Sequence, residues 1–316
     1  YSRGYDFAVT RWQEDSTRDY WSTFCYMRDV ASGEFWSTAH QPTLAPANHY
    51  EAIFSEGRAE FRRRDHDFDT HIDIVVSPED DIELRRVRIT NDSPLQRTIE
   101  VTSYAEVVLA SPASDTLHPA FSKLFVQTEI IDPLQAILCT RRPRALDEHS
   151  PWLFHLMAVH EGDSSGISYE TDRAQFIGRG NTLVAPHAMT TADHLSNSVG
   201  AVLDPIVAIR HRITLEPEAS VTLDMVIGIA DTREASLQLV EKYRDRRLAD
   251  RVFDLAWTHS QVVLRQLNAS EAEAQLYGRL ANSVIYSHAL LRADASTLIS
   301  NHRGQSGLWA HAISGD

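Results

Sequence analysis

Two cysteines in 316 residues, Cys25 and Cys139, are too few for a disulfide framework. Both sit in apolar runs without a neighbouring C-x-x-C or C-x-x-H pattern, so they read as small buried side chains rather than zinc ligands. Their scarcity fits a reducing compartment. Positive charge is scarce too: 30 Lys and Arg stand against 44 Asp and Glu, a formal charge of −14. That argues against a nucleic-acid partner, which needs clustered cations to neutralise phosphate. No apolar run is long enough to cross a bilayer, so direct membrane insertion of this segment is not expected. No initiator Met opens the chain and no secretory leader is visible. Start and stop both read as cuts, and a fragment is expected. A G-x-S-x-G elbow, a phosphate-loop motif and a strand-linked G-x-G-x-x-G are all missing.

What is present is strand after strand from Tyr5 to about Ile229. Thr70–Val76 and Ile82–Ile89 alternate polar and apolar residues, the period of strands with one buried face. Asn91-Asp92-Ser93-Pro94 supplies a turn, and the pattern resumes over Thr98–Leu109, so this pair reads as a long antiparallel hairpin. Further strands flank Asp132-Pro133 and Glu216-Pro217-Glu218. The arginines in Arg62-Arg63-Arg64 and Arg85-Arg86 sit among carboxylates and read as a solvated strand face with cross-strand ion pairs. Many strands at short spacing give a mainly β fold, a large antiparallel sandwich of two extended sheets.

Near Asp231 the period changes to helical. Asp231 or Thr232 can cap a helix, and apolar residues recur at helical spacing from Ala235 to Ala256. A second helix is expected over about Thr258–Leu267. A third is expected over about Glu271–Leu291, capped by Ser270 and carrying Leu276, Leu280, Val284, Ile285 and Ala289 on one stripe. The expected division is a β-sandwich over 1–230, a helical linker over 231–268 and the start of a helical domain over 269–316. Cut from its partner, the third helix's stripe would seek another surface, such as a second copy in a homodimer.

Candidate chemistry is sparse. Asp65-His66-Asp67-x-Asp69-x-His71 is the densest His/Asp cluster. On one continuous strand, positions 65, 67, 69 and 71 share a face, able to hold a cation or to pair with Arg62, Arg64 and Arg86; pairing is favoured and no metal site is expected. Gly178-Arg179-Gly180 reads as a structural turn. The N-terminal aromatics Trp12, Tyr20, Trp21, Phe35 and Trp36, interleaved with Arg11, Arg18 and Asp19, suit the apolar faces and hydroxyls of sugar rings. Core packing is the competing reading for any single ring. No spacing singles out two carboxylates for glycosidic chemistry.

Several long words carry a family resemblance. Ala8–Asp19, Arg28-Asp29-Val30-x-x-Gly33-Glu34-x-Trp36-Ser37, Val76–Asp81 with Glu83–Arg86, Thr102–Glu106, His118–Ser122 with Leu124-Phe125, and Arg173-x-x-Phe176-Ile177-Gly178-Arg179-Gly180 resemble the N-terminal domain of glycoside hydrolase family 94, formerly glycosyltransferase family 36. The nearest resemblance is to the carboxy-terminal, phosphorylase-like region of cyclic β-1,2-glucan synthases. The tail Arg303–Asp316 is similar to the first loop of that family's (α/α)6 barrel. The resemblance implies a super-sandwich of the galactose-mutarotase kind, then linker helices and a truncated (α/α)6 barrel. It implies inverting phosphorolysis of β-glucosides, in which an Asp on the barrel protonates the leaving oxygen and inorganic phosphate, the co-substrate, attacks the anomeric carbon. That acid lies beyond residue 316 in the family pattern, so this chain is expected to hold no catalytic residue and no other cofactor. Arg303, Gln305, Trp309, Asp316, Arg11 and Trp12 are the expected contacts to a β-glucan oligosaccharide, with Asp316 matching a barrel acid that hydrogen-bonds the donor glucose. A cellobiose- or chitobiose-type phosphorylase and a non-catalytic carbohydrate-binding module are the alternatives. A cytoplasmic position, as part of a bacterial inner-membrane protein, is implied as well. The chain departs from the pattern at His311, where a Tyr-like residue is expected, and in lacking the glycine- and serine-rich approach before Tyr1.

Overall fold

The computed structural model describes residues 1–316 except 5, 14, 16, 18–19, 144–148, 192, 286–294, 301 and 303–316. Fourteen strands are present among them: β1 (Ala8–Thr10), β2 (Phe24–Asp29), β3 (Phe35–Ser37), β4 (His49–Ser55), β5 (Arg58–Asp65), β6 (Phe68–Val76), β7 (Ile82–Asn91), β8 (Arg97–Ala110), β9 (Val126–Ile131), β10 (Ala136–Arg141), β11 (Trp152–His160), β12 (Asp163–Asp172), β13 (Pro205–Leu215) and β14 (Ser220–Ala230). They form two antiparallel sheets. One has six strands in the order β12-β13-β8-β2-β3, with β1 also on β8; the other has eight, β4-β5-β6-β7-β14-β11-β10-β9. The expected two-sheet sandwich is thus observed.

Alternation along the strands builds the core. Ile99, Val101 and Val107 of β8 and Val207, Ile209 and Ile213 of β13 point inward to meet Val87, Ile89, Leu223 and Met225 of the larger sheet, all buried. Cys25 and Cys139 are free and buried in this layer. Burial pushes the Cys25 thiol up to about 12, so it is held protonated.

Three expectations are corrected. First, β7 and β8 are not a hairpin. β7 pairs with β6 and β14, whereas β8 pairs with β1, β2 and β13 in the other sheet. The segment between them is a crossover from sheet to sheet, and β13 and β14 are joined by a second one. Buried Asn91 binds both crossovers together: its Nδ2 donates to the carbonyls of Leu95 (2.8 Å), Leu215 (3.2 Å) and Glu216 (3.1 Å), and its Oδ1 accepts from Ser93. Second, the helical break lies at Asp245. Helix α5 follows the short helices α1 (Pro112–Leu117), α2 (Pro119–Lys123), α3 (Arg173–Ile177) and α4 (His187–Thr190). It runs over Arg233–Arg244 and α6 over Arg246–Gln266. Asp245 ends the first, and its carboxylate accepts from the Arg247 N–H, capping the second. Third, Arg62-Arg63-Arg64 is not a uniformly solvated face. Alternation turns Arg63 inward to 2% exposure, where it donates to both oxygens of Asp65 and to the carbonyls of Ala39 and Ala45.

Two compact units are distinguished. Tyr1–Gln13 with Arg18–Val263 forms the first, and residues 14–17 with Leu264–Asp316 the second. In the first, Val240, Tyr243, Ala249 and Val252 of α5 and α6 bury the outer face of the eight-stranded sheet against Leu84, Phe154 and Val226. In the second, α7 (Glu271–Ile285) opens with the expected cap. Ser270 donates through N and Oγ to the Glu273 carboxylate, and Ser270 Oγ accepts from the Glu273 N–H. Leu276 and Leu280 of α7 are exposed; α8 (Ala295–Ser300) follows. Among the described residues no helix is long and apolar enough to cross a membrane.

Candidate functional site

The outer face of the six-stranded sheet carries an unusual set of polar side chains. On β8, Thr102, Tyr104 and Glu106 alternate outward, and all three are buried. Phe176, Leu183 and Met189 lie over them and pack on Phe24, Tyr26 and Tyr104. Tyr26 Oη donates to the Leu183 carbonyl (2.9 Å) and fastens that cover to the sheet.

Glu106 is the centre of the polar set. Arg11 donates to one of its oxygens, and Arg173 Nε (2.7 Å) and Tyr104 Oη (2.8 Å) donate to the other. Arg11 also holds Asp115 with two parallel hydrogen bonds, 2.9 and 3.0 Å. Asp115 is delivered by α1, whose start is fixed by Ser111 and Pro112. Asp204 completes the group, 2.8 Å from Lys123 Nζ and 3.6 Å from Arg173. Burial pushes the Glu106 carboxyl up, but Arg11 and Arg173 together outweigh it and hold the group below its ordinary range. Burial, then Glu106, pushes the Tyr104 hydroxyl far up, so it stays a donor.

Beside this network lies a cleft of about 610 Å³, lined by Tyr20, Trp21, Arg173, Arg179, Asn181 and Thr182 among others. Asp172 caps α3 through the Ala174 N–H (2.8 Å) and sets Arg173 at its head. Gly178 ends α3 at φ +78°, and a Cβ there would come within 2.7 Å of His187 Cβ, so the tight turn that presents Arg179 and Asn181 requires glycine. Two aromatic rings, two guanidinium groups, an amide and a hydroxyl around one hollow suit a polyhydroxylated ring: flat apolar surface for C–H faces, fixed donors for oxygens.

The residues singled out from sequence divide as follows. Arg11 is 2% exposed and engaged by Glu106 and Asp115. Trp12 is half-buried, stacks on Tyr1 at 5.2 Å and borders a different hollow, between the sheets. Tyr20 and Trp21 line the cleft, while Trp36 is core, 5.9 Å from Phe68. Arg303, Gln305, Trp309 and Asp316 lie outside the described residues, as do Arg18 and Asp19. The cluster 65–71 does not share one face, because the chain turns at His66 and Asp67 between β5 and β6. Instead Glu60, His71 and Asp73 converge, their ligand atoms within 4.8 Å of one another. Arg58 donates to Asp73 and lies 3.3 Å from Glu60, so a guanidinium already balances those carboxylates. Arg173, Asn181 and Thr182 were not singled out as contacts. Arg173 opens the word Arg173-x-x-Phe176-Ile177-Gly178-Arg179-Gly180, whereas Asn181 and Thr182 lie just beyond it and carry no sequence signal.

Asp29, Asp80, Glu83, Glu106, Glu129, Asp224 and Glu273 are held below their ordinary range. A general acid needs the opposite, a carboxyl held protonated near neutral pH.

Comparison with known proteins places these features in a family. The model for the supersandwich domain of glycosyl hydrolase 94 matches residues 1–246. The chain is 35% identical over all 316 residues to the cyclic beta-(1,2)-glucan synthase NdvB of Rhizobium meliloti (strain 1021), of which it covers 11%. It is 26% identical over 69% of its length to a solabiose phosphorylase of Paenibacillus borealis, and 25% identical over 78% to an N,N'-diacetylchitobiose phosphorylase of Vibrio furnissii. It spans 27% and 30% of those two relatives.

Proposed function

Because the chain belongs to the glycosyl hydrolase 94 family through its supersandwich domain, we propose that it forms the sandwich portion of a phosphorylase-like enzyme acting on β-1,2-glucan. The supporting observation is the 35% identity to a cyclic β-1,2-glucan synthase along the entire chain. In this reading the segment supports and flanks a sugar site and holds glucan in the cleft of Tyr20, Trp21 and Arg173, while the proton donor comes from sequence outside it. Glu106, the buried carboxylate beside the cleft, is held ionised by Arg11 and Arg173, which suits that division of labour.

The chemistry proposed for the parent protein is inverting phosphorolysis. A carboxylic acid protonates the glycosidic oxygen as the C–O bond breaks, and inorganic phosphate forms the new bond from the opposite face. Phosphate is already anionic and needs no base to activate it. Within the parent, the segment is proposed to work in the cytoplasm, attached to an inner-membrane protein.

Incubating the full-length parent with β-1,2-linked glucooligosaccharides and phosphate tests this. Release of α-glucose 1-phosphate is expected. Its absence, with the protein folded, overturns the phosphorylase reading. Release of the corresponding sugar 1-phosphate from β-1,4-linked chitobiose or cellobiose instead reassigns the substrate. The second reading, a glycan-binding module without chemistry of its own, is favoured for the isolated segment by the cleft. Calorimetry with linear β-1,2-glucan checks it, and heats no larger than dilution remove it.

A further inference from the structure

The larger sheet ends at β9 and β4, the smaller at β12 and β3. Three of these edges are protected. β9 is capped by Gly200, which exchanges both backbone hydrogen bonds with Thr128 at 2.9 Å. β12 is capped by Asn197: the Tyr169 N–H donates to its Oδ1, and its own N–H donates to the Tyr169 carbonyl, both at 2.8 Å. β3 is only three residues long. β4 has no such protection. It runs for seven residues, none of them buried, and among the described residues it pairs with β5 alone. It also carries no Pro and no Lys, the residues that commonly blunt an edge. The side of β4 away from β5 therefore offers a row of backbone donors and acceptors to another strand.

The side chains of β4 fit a second copy of themselves. Tyr50 and Phe54 share one face with Phe61 of β5, stacked at 6.4 Å and edge-on at 6.1 Å respectively, and Phe54 is 71% exposed. Antiparallel pairing about a two-fold axis at Ala52 sets Tyr50 of each copy opposite Phe54 of the other. On the opposite face it sets Glu51 opposite Ile53 and His49 opposite Ser55. Two aromatic cross-strand pairs form and no like charges are directly opposed. Glu51 keeps its own counter-ion, Arg62, at 3.7 Å. Neighbouring registers are poorer: an axis at Glu51 opposes two carboxylates, and one at Ile53 sets Phe54 against Ala52.

Charge favours the same edge. A chain with a formal charge of −14 repels its own copies over most of its surface. The hairpin 49–65 is an exception: Glu51, Glu56, Glu60 and Asp65 are matched by Arg58, Arg62, Arg63 and Arg64. Two copies meeting at β4 therefore bring neutral elements together, and screening in physiological salt damps the repulsion between the remaining charges.

We propose that two copies of this chain associate by pairing β4 with β4, antiparallel about a two-fold axis at Ala52, so that the eight-stranded sheet continues from one copy into the next. Backbone hydrogen bonds supply the attraction, and the Tyr50–Phe54 pairs fix the register. The interface is independent of glucan binding in the cleft and of phosphorolysis by the parent, so failure of either reading leaves the other standing.

Sedimentation equilibrium of the 316-residue chain over a concentration series tests this. The mass is expected to rise from 35.6 kDa toward twice that value. Phe54→Lys is expected to weaken association at least about tenfold, because two aromatic pairs are lost at once, and to leave the melting temperature unchanged. Ala52→Cys, treated with a short bismaleimide, is expected to give a covalent dimer, since the axis brings position 52 to itself. Ser55→Cys is expected to give little, because its two copies lie about 20 Å apart in this register. Cys25 and Cys139 are buried and do not compete. A constant single-chain mass overturns the interface, as does unchanged association by a folded Phe54→Lys. Cross-linking at 55 equal to that at 52 overturns the register. Loss of association in Leu276→Glu/Leu280→Glu, with Phe54→Lys associating normally, assigns the contact to α7 and overturns it as well. If Phe54→Lys does not fold, the comparison of positions 52 and 55 decides.

Discussion

His155 Nε2 lies 2.7 Å from Ser103 Oγ, across the gap between the two sheets. His155 sits on β11 of the larger sheet and Ser103 on β8 of the smaller. The imidazole donates through Nδ1 to the Val226 carbonyl (3.1 Å), which leaves Nε2 to accept the serine proton. His211 on β13 repeats the device: its Nε2 donates to Met157 O on β11 (3.1 Å) and its Nδ1 accepts from Ser164 (2.9 Å). Both rings are neutral bridges in an otherwise apolar layer, and a second proton on either would remove an acceptor.

Stability is therefore expected to fall on mild acidification. Burial lowers His155 and His211 from 6.5 to about 4 in the folded chain. Between those values the unfolded chain binds more protons, so the contribution is whole above pH 6.5 and drains as pH falls toward 4. At about 1.4 kcal/mol per pH unit, each histidine accounts for on the order of 3 kcal/mol. Urea unfolding at several pH values across this window measures the slope. His155→Asn removes one titrating group and is expected to make the slope shallower; an unchanged slope would show that His155 is not its source.

Asn91→Ala is expected to destabilise the first unit by at least about 3 kcal/mol, because three carbonyls lose their donor where two crossovers meet. Chemical denaturation of the single variant measures it. Asn91→Asp, which keeps shape but replaces the amide donor with an acceptor, is expected to be no milder.

That crossover shows what the sequence could and could not convey. Strand existence was legible because alternation is a local consequence of burying one face, as in β6 and β7; β8, β13 and β14 also form strands where the sequence pattern places them, but are buried on both faces. Strand partners were not. Asn91-Asp92-Ser93-Pro94 has the composition of a hairpin turn, and only Asn91's bonds to Leu215 and Glu216, more than a hundred positions away, reveal a change of sheet. In the same way Arg11 and Trp12 are adjacent in sequence but point to different environments, one into a carboxylate pair and one to the rim of a cavity. The cleft residues Arg173 and Asn181 are not marked by periodicity: Arg173 heads a five-residue helix and is flagged only by the family word, and Asn181, just past that word, is flagged by nothing.

Arg11→Ala is expected to cost about 3–5 kcal/mol, since it strands Asp115 as a buried charge and leaves Glu106 with Arg173 as its one close cation. Arg11→Lys keeps the charge but cannot reproduce the paired hydrogen bonds to Asp115, and an intermediate loss is expected. Thermal unfolding ranks the three proteins. A neutral Arg11→Ala would mean that the side chain is not structural and is available to a ligand.

Gly178→Ala is expected to destabilise the chain by about 1–3 kcal/mol and to disturb the cleft. The residue is at φ +78°, and the added methyl would collide with His187. Removing the obstacle with His187→Gly relieves the collision but not the backbone strain, so the double variant is expected to recover only part of the loss. Full recovery would assign the cost to the contact alone.

Glu106 is the buried carboxylate next to the cleft and so the obvious suspect for a proton donor among the strands. Its environment argues otherwise. Arg11 and Arg173 hold it ionised, and the stability it contributes is present above its ordinary value of 4.5 and lost as pH falls through its lower folded value. Glu106→Gln is therefore expected to weaken folding by leaving two guanidinium groups with reduced compensation, and to flatten the acid end of the stability profile. In the full-length parent, the folded fraction of that variant is expected to keep a turnover number within a few-fold of wild type and an unshifted basic limb of the pH–rate profile. Loss of turnover by several orders of magnitude in a folded Glu106→Gln protein would place the acid in the sandwich after all, because only a group that delivers the proton has that effect on the chemical step.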